Sequence, residues 1–139
     1  MRRSGWLFGA AITLFAAAGA TAYGTRPNSE VEPIFDAPIP NIPGKSLKTV
    51  TVSYPPGGSA GAHRHAKSAY IYAYVLEGEI RSQVEGEPAR VYRAGEFWSE
   101  HPGAHHVVSE NARETRGAKL LAVFVVDTGD TVLTTPDRH

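Results

Sequence analysis

Cysteine is missing from this chain, and its 14 basic residues are matched by 14 acidic ones. Without cysteine an exported domain cannot be stapled by disulfides, and any metal site must be built from nitrogen and oxygen ligands. Charge balance with no run of one sign argues against a nucleic-acid binder or a protein lying on an anionic membrane surface. Helical periodicity, internal repeats and low-complexity tracts are lacking beyond the N-terminus, which disfavours a βαβ arrangement.

What is present begins with a leader. Arg2 and Arg3 precede an uncharged stretch from Ser4 to Thr25, with an apolar centre at Trp6 to Ala18 and small-residue sites at Ala18-Gly19-Ala20 and Ala20-Thr21-Ala22. Residues 1–22 thus read as a signal peptide, and the protein as periplasmic or secreted. Left uncleaved, the same stretch approaches the roughly 20 residues needed to cross a bilayer and would be a membrane anchor. Residues 23–45 carry Pro27, Pro33, Pro38, Pro40 and Pro43. They read as a linker, with at most a short edge strand at Ile34-Phe35. Residues 46–128 read as one folded domain, and residues 129–139 as a loosely held tail.

Inside that domain short β-rich runs recur: Leu47 to Tyr54, Ala69 to Leu76, Ile80 to Val84, Ala89 to Tyr92, Glu96 to Ser99, His106 to Ser109 and Lys119 to Val126. Turn signals such as Pro55-Pro56-Gly57-Gly58, Glu77-Gly78-Glu79 and Pro102-Gly103 separate them. The expectation is an all-β sandwich or closed barrel. Tyr70 to Leu76 and Lys119 to Val126 are apolar on both faces, which suits central strands covered on each side.

The densest chemistry is the segment Gly57-Gly58-Ser59-Ala60-Gly61-Ala62-His63-Arg64-His65, answered by Pro102-Gly103-Ala104-His105-His106 and Asn111. Two histidines one residue apart in extended chain face the same way, roughly 6–7 Å apart, and can converge on one ion. His105 and His106 alternate to opposite faces, so only one can join them.

These residues resemble the two sequence motifs of the cupin family. Gly57, His63 and His65, and a β run ending at Gly78 match the first. Gly95-Glu96-Phe97-Trp98, Pro102-Gly103, a histidine and Asn111 match the second. The resemblance spans about Leu47 to Val126 and implies a double-stranded β-helix, or jelly-roll barrel. It also implies a divalent metal (iron, manganese, nickel, copper or zinc) held by His63, His65 and His106, since Pro102-Gly103-x-x-His106 fits the spacing better than His105. The family's usual glutamate is absent, because counting from either end of the first motif reaches Tyr70 or Ile71. Tyr70, close in sequence to His65, is the candidate catalytic residue, and either it or Glu100 could stand in for the lost acid.

Other polar residues read more plainly: His101 and His139 as surface residues, Asn111 as a turn residue, and Glu96 and Glu100 as solvated acids. The resemblance implies a metal-dependent, dioxygenase-like activity on a small enolisable or phenolic molecule. The alternative is a non-catalytic module in the cell envelope that binds a small ligand or metal. A small molecule is the expected partner. A homodimer through edge strands is also implied, with neither nucleic acid nor, past the leader, a membrane.

Overall fold

A computed structural model describes residues 29–138. The leader expected at residues 1–22 lies outside them. Among the described residues there are ten strands: β1 (Glu30–Pro38), β2 (Lys45–Tyr54), β3 (His63–His65), β4 (Tyr70–Glu77), β5 (Glu79–Val84), β6 (Arg90–Arg93), β7 (Phe97–Glu100), β8 (His105–Asn111), β9 (Ala118–Asp127) and β10 (Thr134–Pro136). They form two five-stranded antiparallel sheets, ordered β1-β2-β9-β4-β7 and β10-β3-β8-β5-β6. From β2 onward the chain crosses repeatedly between the sheets, the jelly-roll route. The seven strand runs expected from the sequence correspond to β2, β4, β5, β6, β7, β8 and β9.

One crossing shows why a particular residue is needed. Between β4 and β5 the chain turns at Gly78, where φ is +72° and a Cβ would lie 2.6 Å from the Gly117 carbonyl oxygen. A side chain there would meet both left-handed strain and rigid backbone, so glycine alone fits.

The core lies between the sheets and has two parts. One joins Tyr54, Val75, Ile80, Trp98 and Leu120, and the other Ala69, Ile71, Ala122, Phe124 and Val126. In β9 the apolar residues in phase with Leu120 and Phe124 point inward. In β4 the inward set is Ile71, Ala73 and Val75.

Three expectations need correction. The proline-rich segment is no mere linker, because β1 runs along β2 from Glu30–Ser53 to Pro38–Ser46, with a register shift between Pro33 and Phe35. An edge strand has no partner on its outer side, so Pro33 and Pro38 cost it little. The tail is likewise anchored: Thr134, Thr135 and Pro136 pair with His65, Arg64 and His63. Finally, β4 is apolar on both faces but covered on one, leaving Tyr70 48%, Tyr72 38% and Leu76 40% exposed on the outer side.

Candidate metal centre

The site is built by strand alternation. In β3, His63 is buried and Arg64 exposed, so His63 and His65 share the inward face. In the β3–β8 ladder His63 stands directly opposite His106, and Arg64 opposite His105. Residues so paired carry their side chains to the same side, which brings a third imidazole to the first two. Ring centroids lie 4.8 Å apart for His63–His65, 5.0 Å for His63–His106 and 6.1 Å for His65–His106. One nitrogen from each ring lies within 4.8 Å of the others. Two ligands of one ion at about 2.0–2.1 Å are at most about 4.2 Å apart, and about 2.9–3.4 Å apart at right or tetrahedral angles. A pair near the 4.8 Å limit must therefore draw in by several tenths of an ångström at the least, and by more than about 1 Å for those angles.

The outer nitrogens are held by the fold. His63 Nδ1 donates to the Gly61 carbonyl at 2.8 Å, and His65 Nδ1 faces the Leu133 carbonyl and Thr134 Oγ1, each at 3.3 Å. A carbonyl can only accept, so in the neutral rings the proton sits on Nδ1 and Nε2 presents a bare lone pair. Gly61 has φ +72°, a conformation that aims its carbonyl at His63. His106 Nε2 meets Ser82 Oγ at 2.8 Å; with Nε2–H donating, Nδ1 is bare toward the cavity. Outer partners of this kind orient metal-ligating imidazoles.

A buried acid completes the surroundings. Trp98 and Glu100 are the inward pair of β7. Glu100 is 3% exposed, with Oε1 accepting from Trp98 Nε1 at 3.0 Å. Its Oε2 lies 3.1 Å from His65 Nε2, and Oε1 lies 3.3 Å from His106 Nδ1. The His65 contact has the length of a hydrogen bond but not its direction, and Oε2 has no hydrogen-bond partner.

Burial lowers the His63 pKa, partly offset by its hydrogen bond to the Gly61 carbonyl. Burial likewise takes His106 from 6.5 to about 4. For Glu100 burial acts upward, but the imidazoles of His65 and His106 and the indole N–H of Trp98 outweigh it and bring the carboxyl to about 2. A neutral His63 and a neutral His106 beside an ionised Glu100 are the protonation states a divalent cation requires. That donor set, with its partnerless buried oxygen, fits such an ion.

The imidazoles and Glu100 open onto a cavity of about 230 Å³, otherwise lined mainly by apolar residues including Val50, Val52, Ile71, Leu120 and Phe124. Tyr54 also lines it. Burial raises its phenol to about 12, partly offset by the hydrogen bond to Ser109, an O–O distance of 2.8 Å.

Of the residues singled out from the sequence, His63, His65 and His106 come together. His105 points the other way, between Asp137 Oδ2 at 2.7 Å and Glu85 Oε1 at 3.3 Å. Tyr70 must be corrected: it stands on the outer face of β4 while its neighbour Ile71 lines the cavity. The phenol at the cavity is Tyr54. Glu100 is not a solvated acid, and its two-residue step from Trp98 was the available signal. Asn111 does close a turn, donating to the Pro55 and Arg116 carbonyls. His101 is exposed, and His139 lies outside the described residues.

A small jelly-roll barrel with three imidazoles converging in its interior defines the class. The chain belongs to the cupin family, whose Cupin domain matches residues 50–124. No curated protein matches the sequence. Among solved structures, one similar in fold is a conserved protein with a double-stranded β-helix domain from Klebsiella pneumoniae, at TM-score 0.62 and 13% identity, covering 81% of this chain and 86% of that one. A Cupin 2 conserved barrel domain protein from Salinispora arenicola gives TM-score 0.53 at 21% identity, with 69% and 74% covered. Oxalate oxidase in complex with the substrate analogue glycolate gives TM-score 0.56 at 24% identity, covering 70% of this chain and 51% of that one. At these identities the likeness is one of fold.

Proposed function

We propose that this cupin holds a divalent ion on His63, His65 and His106 and acts, in the manner of a dioxygenase, on a small molecule carrying an enolisable or phenolic oxygen. The observation that carries the reading is the convergence of three imidazoles, their outer nitrogens engaged by Gly61, Leu133 and Ser82, on one wall of an apolar cavity. An ion bound there supplies a Lewis acid and, if it is iron, copper or manganese, a centre for dioxygen chemistry. Three protein ligands leave coordination positions open to substrate.

The remaining work falls to the chain's own side chains. Val52, Leu120 and Phe124 give the cavity an apolar wall, a low-dielectric setting that strengthens electrostatic contacts inside. Tyr54 keeps its proton at neutral pH and can present it to a substrate oxygen as a hydrogen-bond donor. A cavity of about 230 Å³ admits only small ligands, and glycolate, the analogue held by oxalate oxidase, is of suitable size.

Oxygen uptake by the metal-loaded protein against a panel of enolisable and phenolic compounds tests the proposal. Uptake with at least one compound, abolished by His63→Ala and by His106→Ala, supports it. A second reading, a binding module without turnover, is favoured by Ile71 standing where the family places an acid. It expects metal retention with no uptake for any compound. We further propose, from the Arg2-Arg3 leader, that the protein works in the periplasm or outside the cell. Fractionation of cells expressing the full chain checks this, and recovery of the protein from the cytoplasm alone would refute it.

A further inference from the structure

Ile71 fills the place from which the family's first motif would send a glutamate to the ion. In the β4–β7 ladder the residue directly opposite Ile71 is Glu100. Cross-strand partners have Cβ atoms about 4.5–5.5 Å apart on the same face of the sheet, so a carboxylate on β7 reaches nearly the space that one on β4 would occupy. We propose that Glu100 replaces the missing acid and that the centre is a three-histidine, one-carboxylate site whose oxygen ligand comes from β7.

The geometry around Glu100 supports a shared cation. With Nδ1 of His65 turned to the Leu133 carbonyl, its Nε2 faces Glu100, whose Oε2 lies 3.1 Å away. Two ligands bound at about 2.0–2.1 Å and meeting at the ion at a right angle are about 2.9 Å apart, and at a tetrahedral angle about 3.4 Å; the observed separation falls between. Oε2 is also the buried side-chain oxygen without a hydrogen-bond partner among the described residues, an expensive condition for a carboxylate in an apolar cavity. Its other oxygen is tied to Trp98 Nε1, which fixes the rotation of the group and leaves Oε2 facing the histidines.

The inference rests on the metal reading above, and the test separates the two. Manganese and cobalt affinities of wild type and Glu100→Gln are measured by chelator competition, and crystals of wild type soaked in manganese are examined by anomalous scattering. Loss of the carboxylate should weaken binding about 100-fold or more, at or beyond the upper end of the roughly 10- to 100-fold seen when only an outer hydrogen bond is removed. The soaked crystals should show Glu100 Oε2 about 2.0–2.2 Å from the ion. Should Glu100→Gln fail to fold, that distance decides alone. An ion bound with the carboxylate more than about 3 Å away, or a Gln variant with unchanged affinity, would overturn the role of Glu100 and leave the three histidines standing. A wild type that binds neither metal would overturn both.

Discussion

His105 and His106 are neighbours in the chain but occupy different environments: His106 is buried among His63, His65 and Glu100, whereas His105 reaches outward to Asp137 Oδ2 at 2.7 Å. Substituting them should therefore have unlike effects. His106→Ala is expected to abolish metal retention. His105→Ala should leave it intact and move the urea midpoint only slightly, since its partners Asp137 and Glu85 lie at the surface. Elemental analysis after gel filtration, with urea unfolding of both variants, checks the contrast.

The C-terminal strand should matter to the site more than to the barrel. β10 pairs with β3; its first residue supplies the Thr134 hydroxyl, and the residue before it the Leu133 carbonyl, that face His65 Nδ1. Ending the chain at Thr131 removes those partners, together with Leu133 where it packs against one core cluster, while every buried member of both clusters stays in the chain. Metal affinity should drop roughly 10- to 100-fold with far-ultraviolet circular dichroism little changed. Affinity equal to that of the full chain would show that His65 needs no such support.

Acid should destabilise the metal-free protein in two stages. His106 is held neutral down to about 4 in the fold against 6.5 for an ordinary imidazole. Between these values the unfolded chain takes up a proton that the folded one refuses. Its contribution is full above pH 6.5 and is lost as pH falls toward 4, a shift corresponding to roughly 3 kcal/mol. Glu100, lowered from 4.5 to about 2, contributes above 4.5 and loses that contribution as pH falls toward 2. His105 is raised by Asp137 and then Glu85, so its smaller effect has the opposite sign and fades as pH rises. Urea midpoints across this range, for wild type and His106→Asn, check the first stage, which the variant should show weakened to the part that His63, also lowered by burial, supplies.

Moving the carboxylate across the ladder offers a separate check. In the double variant Ile71→Glu with Glu100→Ile, the acid returns to β4 and the apolar side chain goes to β7. The pair stands in register, so affinity should recover to within about tenfold of wild type, whereas Glu100→Ile alone stays weak. Chelator competition distinguishes these outcomes.

Much of this was legible in the sequence. The long apolar strands β2, β4 and β9 announce themselves by period and flanking turns, and His63 and His65 by their one-residue spacing. The hidden parts have physical reasons. Prolines masked β1 because an edge strand tolerates the missing N–H groups. β10 is three residues long and gains its order from the strand it lies on. The phase of β4 decided between Tyr70 and Ile71, and apolar residues on both faces gave no clue to it. Glu100 looked solvated because acids usually are; its two-residue step from Trp98 was the one sign otherwise, and the ladder that sets it beside Ile71 shows where it points.

The metal content of the tag-free protein, incubated with iron, manganese, nickel, copper and zinc and then passed through gel filtration, is the most direct measurement. Close to one ion per chain is expected for wild type, and essentially none for His63→Ala, His65→Ala or His106→Ala. A wild type that emerges without metal, or histidine variants that keep it, would contradict the three-imidazole centre.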